Sequence, residues 1–404
     1  MKFIHSADWQ LGARFAQFSD RAVELRQVRL DTLERVLKMA SERGADAFLI
    51  AGDLFEDNQV ESTLVEKVVD LFTAYSEVPI LILPGNHDPY TGPNSVWDRR
   101  CFSGLGDHVT VFRETESKRI AEGYFLASPL RQKVSSRDPS MCLGALTESL
   151  PKESIRVGIT HGALAIPGKH QPNDFPIALD AATRLGLDYL AIGHWHRWQT
   201  YDEDRIVMPG TPEPDSFGAE EKGRVAWVEI SEPGAIPKVE PLAVNSLSWQ
   251  TVDYDLERTS LSRQQITQRI AGLEVALEKC VFRVVLSGQT TEPEKSQAEV
   301  WLQEQFQNTF LIQLHDKSRL TLSESERVAL AGEHPILASV IDDLLGIQTQ
   351  IGDGSGDANE IPRFPLNELA RLLEDSKIPL SELDARHLEQ SRSLLLGMLQ
   401  EAKQ

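Results

Sequence analysis

Apolar and polar positions follow one another along the chain in blocks whose period switches between helix-like and strand-like. Residues 2–5 predict a first strand, and residues 6–12 a polar loop at its carboxyl end. Leu25, Val28, Leu33, Val36 and Leu37 then recur at helical spacing until Arg43-Gly44, a good helix stop. Residues 47–51 are continuously apolar, as expected of a strand buried on both faces, and empty into the polar loop 52–57. A helix pattern over 62–75 leads to a third apolar run, 78–83, which breaks at Pro84-Gly85 and delivers Asn86, His87 and Asp88 in a row. The order strand, helix, strand, helix, strand predicts an α/β sheet with functional loops at the carboxyl ends of its strands.

The middle of the chain is less regular. Residues 123–127 and 155–160 predict strands, the second running into His161-Gly162, and a Pro/Gly-rich loop follows over 167–176. Residues 187–192 form a strand ending in Gly193-His194-Trp195-His196, and 206–208 and 224–230 read as late antiparallel strands around the turn-rich stretch 209–214. Near 242–248 the pattern changes. Beyond it come a strand over 249–256, a helix with capping-box spacing at Ser262 and Gln265, a strand over 281–286, a helix over 295–307 and a strand over 310–314. The division this predicts is residues 1–245, a small α+β unit over 246–320, and a helical tail over 321–404 with a flexible linker near 352–361. Amphipathic helices are predicted in that tail around 336–345 and 366–399.

Composition narrows the classes. At 404 residues the chain exceeds one typical core, and 41% hydrophobic with 25% charged residues is ordinary for a soluble globular protein. Cys101, Cys142 and Cys280 are far apart, which argues against a disulfide framework or a cysteine zinc site and fits a reducing cytoplasm. The opening residues leave no room for a signal peptide, and no window approaches the ~18 apolar residues of a membrane span, so the expectation is a cytoplasmic protein with no membrane association. A net charge of −20 runs against phosphate binding by Lys and Arg. Residues 320–404 contribute −8 of it, with 15 acidic and 7 basic residues. Two classes stay open: a small-molecule enzyme, or a nucleic-acid enzyme whose metals and local basic groups offset a repulsive average.

Five strand-end loops present Asp8, Asp53, Asn86 with His87, His161, and His194 with His196. One such residue is ordinary turn chemistry; five, each after an apolar strand, point to a metal centre. Carboxylate, amide and imidazole donors without thiolate suit Mn²⁺, Mg²⁺, Fe²⁺ or Zn²⁺, and Asp53, central in the order, is the natural bridge between two ions.

The series Asp8-x-Gln10, Gly52-Asp53, Gly85-Asn86-His87-Asp88, His161-Gly162 and Gly193-His194-Trp195-His196 resembles the calcineurin-like metallophosphoesterase superfamily. Within it, the phrasing around His5 to Gly12, Gly52 to Phe55, Asp188 to His196 and Pro209 to Glu213 is similar to the SbcD and YhaO-like DNA-repair nucleases. The resemblance spans about the first 245 residues. It implies a four-layer αββα sandwich with a small α+β capping domain and a helical tail, and a two-metal DNA phosphodiesterase, exo- or endonuclease, with manganese the first choice of ion. One metal would be held by Asp8, Asp53 and His196, and the other by Asp53, Asn86, His161 and His194, with His87 facing the scissile phosphate. DNA and an SbcC-like ATPase are the implied partners, with a homodimer as the family's assembly.

Two positions depart from the nuclease pattern. Gln10 stands where a histidine ligand is usual; its amide oxygen either ligates weakly or only hydrogen-bonds near the site. Glu56 stands where some members have histidine, and by analogy with phosphatase relatives could orient His87. Arg99, Arg100 and Arg197 are candidate phosphate contacts, and Trp195 a candidate base-stacking surface. The alternatives are a phosphodiesterase or phosphatase for a small molecule or nucleotide, favoured by the net charge, and a DNA-holding subunit whose nuclease site is weakened at Gln10.

Overall fold

The structure, a computed structural model, describes residues 1–18, 21–218, 222–321 and Ser325. The expected helices around 336–345 and 366–399 and the linker near 352–361 lie outside the described residues.

In chain order the strands and helices are β1 (Lys2–Ser6), α1 (Ala22–Glu42), β2 (Ala47–Ala51), α2 (Ser62–Ala74), β3 (Ile80–Leu83), β4 (Val109–Val111), β5 (Glu116–Ile120), β6 (Gly123–Ala127), α3 (Leu143–Ser149), β7 (Ile155–His161), α4 (Ala181–Leu185), β8 (Tyr189–Gly193), β9 (Gln199–Tyr201), β10 (Ile206–Met208), β11 (Arg224–Glu229), β12 (Lys238–Ala243), β13 (Ser248–Asp255), α5 (Thr259–Ala271), β14 (Cys280–Ser287), β15 (Gln289–Thr290), α6 (Glu292–Phe306), β16 (Leu311–Asp316) and β17 (Arg319–Leu320). Among the described residues they make two six-stranded sheets, ordered β12-β11-β1-β2-β3-β4 and β5-β6-β7-β8-β10-β9.

The central strands of both sheets run parallel: β1 to β2 to β3 to β4 in the first, and β6 to β7 to β8 to β10 in the second. Their side chains alternate between two apolar environments, which is why the runs are apolar throughout. Phe3, Ala47, Leu49, Ala51, Leu81 and Leu83 meet Phe125, Val157, Ile159, Tyr189 and Ala191 between the sheets. Their neighbours Ile4, Phe48, Ile50, Ile80 and Ile82 face outward onto Leu33, Val36 and Leu37 of α1 and Val65, Val68 and Phe72 of α2. On the other side Leu126, Leu190 and Ile192 pack under Leu143 of α3 and Ala181 and Ala182 of α4. This is the αββα sandwich.

Two local expectations differ, and four strands were not expected. β10 and β11 do not share a sheet: β10 lies parallel to β8 and antiparallel to β9, whereas β11 lies antiparallel to β1. The capping box at Ser262 does not form, because α5 starts earlier, at Thr259. Ser262 Oγ instead donates to the Asp255 carbonyl and accepts from the Asp255 amide, tying the helix to the end of β13. The exposed strands β5 and β12 and the intermediate β4 and β9 had no continuous apolar run to announce them.

By its internal contacts the chain falls into two units, residues 1–286 with 302–317, and residues 287–301 with 318–404. In the first unit the three-stranded sheet β13-β14-β16 rests Trp249 and Val281 against Phe18, Ala22 and Leu25 at the start of α1. In the second, β15 and β17 pair in parallel, Gln289 opposite Arg319.

Candidate metal centre

The carboxyl ends of β1, β2, β3, β7 and β8 bring Asp8, Asp53, Asn86, His161, His194 and His196 together. The loops need unusual backbone to do this. Asp8, Gln10, Asp53 and His194 have φ of 55°, 41°, 54° and 134°, a region that costs a non-glycine residue about 1–3 kcal/mol and clusters at functional sites. Space is as tight as conformation. A Cβ on Gly52 would sit 2.0 Å from His161 Nδ1, and one on Gly85 2.2 Å from Asp53 Oδ1 and 2.5 Å from the Asp53 amide. These two glycines let the loops close on each other.

Asp88 is spent on the same closure. It is fully buried, its Oδ1 accepts from the Gly85 amide at 2.8 Å and its Oδ2 from the Phe55 amide at 2.9 Å. It therefore clamps the loops that follow β2 and β3. Burial, then the neighbouring Asp53 charge, pushes its carboxyl up to about 7, while the two amides oppose the rise.

Asp8, Asp53 and His161 offer ligand atoms within 4.8 Å of one another, all buried. His161 Nε2 lies 3.3 Å from Asp53 Oδ2 and 2.9 Å from Asn86 Oδ1, and its Nδ1–H donates to the Ala51 carbonyl at 2.9 Å. His194 Nδ1 lies 2.9 Å from the same Asn86 oxygen, while its Nε2–H donates to Asp174 Oδ1 at 2.9 Å. His196 Nδ1–H donates to Asp215 Oδ2 at 2.8 Å, which frees Nε2. Each imidazole thus has one nitrogen anchored by a carbonyl or carboxylate and the other turned inward, the usual preparation of a histidine ligand.

Two observations test whether a cation fits. Asp8 Oδ1 is a buried carboxylate oxygen with no hydrogen-bond partner among the described residues. Its other oxygen accepts from the His194 amide at 3.0 Å. Burial, then His161, lowers His194 against the pull of Asp174, and with its Nε2–H given to Asp174 its Nδ1 faces the Asn86 oxygen at 2.9 Å. An orphaned carboxylate oxygen and two facing acceptors both call for positive charge, and a divalent cation supplies it.

The local field agrees. Burial raises Asp8, partly offset by His196 and His161. Burial also opposes ionisation of Asp53, but His161 and His87 outweigh it and hold the carboxyl well below the usual range. Burial alone would lower His161; Asp53 and Asp8 overcome that and lift it to about 9. For His196 the Asp215 bond and the Asp8 charge overcome the burial that lowers it, and the net shift is upward.

His87 stands at the same loop. Its amide donates to Asp53 Oδ1 at 2.9 Å, and its Nδ1 lies 3.0 Å from the Glu56 backbone carbonyl and 3.9 Å from the Glu56 carboxylate. Glu56 thus holds His87 chiefly through its main chain. Gln10 is buried, 7% exposed, and its backbone N–H donates to the Asp53 main-chain carbonyl at 2.9 Å.

The substrate candidates are placed less centrally. The Arg99 fork donates to the Val60 and Asn58 carbonyls, Arg197 donates to the Gly218 carbonyl, and Arg100 is exposed at the start of a 3-10 turn. Trp195 is part-buried against the outer apolar layer of the second sheet. Nothing in the sequence marks Asp174 and Asp215, since neither sits at a strand end, although Asp215 closely follows the turn-rich stretch 209–214.

Fold and site together define a metallophosphoesterase. Residues 1–198 match the calcineurin-like phosphoesterase family, and this part of the chain is a domain of that family, a metal-dependent phosphoester hydrolase. The chain is similar to the DNA double-strand break repair protein Mre11 of Methanopyrus kandleri, 27% identical over 328 residues that cover 70% of each protein. Among solved structures it is similar to the calcineurin-like phosphoesterase YfkN from Bacillus subtilis, with a TM-score of 0.38, 13% identity, and coverage of 67% of this chain and 97% of that one.

Proposed function

We propose that the protein is a two-metal-dependent DNA phosphodiesterase acting in DNA repair. The observation that carries the reading is the buried cluster of Asp8, Asp53 and His161, whose ligand atoms lie within 4.8 Å of one another with an orphaned Asp8 oxygen among them, extended by Asn86 Oδ1 between His161 and His194. Asp8, Asp53 and His196, with Gln10 beside them, would hold one ion; Asp53, Asn86, His161 and His194 the other. When bound, such ions, manganese first, supply an activated water and neutralise charge on the phosphate oxygens. The chain's own part is to fix the donors, exclude bulk water from Asp8, Asp53 and His161, and manage the leaving group. His87, held through Nδ1 by the Glu56 carbonyl, presents Nε2 to the substrate. There the ring would protonate or polarise the sugar oxygen as the phosphorus–oxygen bond breaks.

The DNA substrate is supported by the similarity to a double-strand break repair protein. On the same reading residues 246–320 act as a cap that shapes access, residues 321–404 bind an SbcC-like ATPase, the assembly is a homodimer and the compartment is the cytoplasm. Among the described residues no helix is long and apolar enough to cross a membrane. The net charge of −20 favours a second reading, a phosphodiesterase for small molecules or nucleotides. Digestion of linear double- and single-stranded DNA with Mn²⁺, beside a small chromogenic phosphodiester and the His87→Ala protein, separates the two. The proposal expects DNA cleavage that His87→Ala abolishes; hydrolysis of the small ester alone would establish the second reading.

A further inference from the structure

The stretch from Pro209 to Glu213 carries part of the family resemblance but supplies no ligand, and Asp215 follows it in the same loop. Its loop nevertheless reaches the site twice. Asp215 accepts the Nδ1–H of His196, and Gly210, at φ 78°, lies so close that a Cβ there would be 3.1 Å from the His196 carbonyl carbon and the Arg197 nitrogen. What holds this loop is Arg29, a buried arginine on α1 that is 2% exposed. Its Nε donates to the Trp9 carbonyl at 3.0 Å, next to Asp8. One Nη donates to the Glu213 carbonyl at 3.0 Å and the other to Thr211 Oγ1 at 3.2 Å. Thr211 completes the clamp by donating to that Glu213 carbonyl at 2.8 Å.

A buried guanidinium normally takes a carboxylate partner. Among the described residues Arg29 forms no ion pair: each of its three nitrogens donates to a neutral oxygen, on two loops. The nearby carboxylates are committed elsewhere. Asp215 holds His196, and Glu213 accepts from the Thr32 hydroxyl at 2.6 Å and from the Ser246 amide. Burial pulls Arg29 down from its usual value while Asp215, Glu213, Glu56 and Asp8 all favour its charge, so the cation sits within the field of the site without touching a carboxylate of it.

We propose that Arg29 is a positioning residue: by joining the Trp9 carbonyl to the Thr211–Glu213 turn it keeps the Asp8 loop and the Asp215–His196 pair in register, and so sets the affinity of the one metal site those loops share. This rests on Asp8 and His196 serving the same ion.

The test is a calorimetric Mn²⁺ titration of the full chain, metal-free at the start. For Arg29→Gln the expected result is one site weakened about 10–100-fold, the range for loss of a residue that orients a ligand. The other site, held by Asn86, His161 and His194, is expected unchanged. Thr211→Val, which removes both hydrogen bonds of the Thr211 hydroxyl but leaves Arg29 its contacts with the Trp9 and Glu213 carbonyls, weakens the same site by less. Combining Arg29→Gln with Asp215→Asn gives a loss smaller than the sum of the two single losses, since both act in part through His196. A folded Arg29→Gln protein that binds both ions as the wild type does overturns the inference, as does equal weakening of both sites or full additivity with Asp215→Asn. If Arg29→Gln does not fold, Thr211→Val decides, and wild-type affinity in that variant overturns it. Wild-type protein that takes up only one ion overturns the two-ion reading and this inference together, whereas unchanged variants overturn this inference alone.

Discussion

His5 offers a pH test of the sandwich that the metal ligands do not enter. It is fully buried between the sheets, its Nδ1 lies 2.9 Å from the Tyr189 hydroxyl, and its Nε2 has no hydrogen-bond partner among the described residues. Burial lowers its pKa to about 3, with a small opposing effect from the Ile192 backbone. In the unfolded chain the ring titrates near 6.5. Between those values the unfolded chain binds a proton that the folded protein excludes, so stability rises with pH and is lost as pH falls from about 6.5 toward 3. At 1.36 kcal/mol per pH unit the full loss is about 5 kcal/mol, and roughly 2 kcal/mol is gone by pH 5. Urea unfolding of metal-free protein at pH 7 and pH 5, for wild type and His5→Phe, isolates the effect, because every other histidine is common to both. The variant leaves the Tyr189 hydroxyl unpaired, a pH-independent cost of about 1–3 kcal/mol. It should nevertheless lose about 2 kcal/mol less than wild type between the two pH values. Parallel losses in the two proteins would refute the reasoning.

Three further outcomes can be checked at the site. Gly85→Ala places a methyl against the Asp53 backbone as well as its carboxylate, so it should cost about 1–3 kcal/mol in unfolding experiments and reduce Mn²⁺-dependent phosphodiester hydrolysis to background; activity like that of wild type would show that the loops can part. Asp174→Asn removes the charged partner of His194 and should weaken Mn²⁺ binding about 10–100-fold by calorimetry. Glu56→Gln should lower kcat by less than about tenfold, since His87 is held by the main-chain carbonyl and the carboxylate is 3.9 Å away; a loss above about 100-fold would give the side chain the larger role.

The buried half of this fold was legible in the sequence. Residues 47–51, 123–127 and 206–208 were bounded as strands at the same residues the structure gives, because strands covered on both faces are apolar at every position. The metal-site loops were legible for the same reason, since the apolar runs 47–51, 78–83, 155–160 and 187–192 break into Asp, Asn or His. The partners of those histidines were not. Asp174 and Asp215 meet His194 and His196 only after the chain has folded back, and Arg29 reaches Glu213 across 184 positions. No local period marks such a residue. Glu56 was read as a side-chain partner for His87, yet the contact at 3.0 Å is to its carbonyl, and a main-chain contact leaves no trace in residue type.

The donors are divided between the sheets: Asp8, Asp53 and Asn86 follow strands of the first, and His161, His194 and His196 end or follow strands of the second. The faces that join those sheets are largely apolar and interlocked, with Phe3 edge-on to Phe125 and Tyr189 and the His5–Tyr189 hydrogen bond between them. Ions shared by donors from both sheets would act as rivets at the carboxyl end of that seam, where loops rather than packed side chains meet. Metal removal would then loosen the loop end of the sandwich before its packed middle.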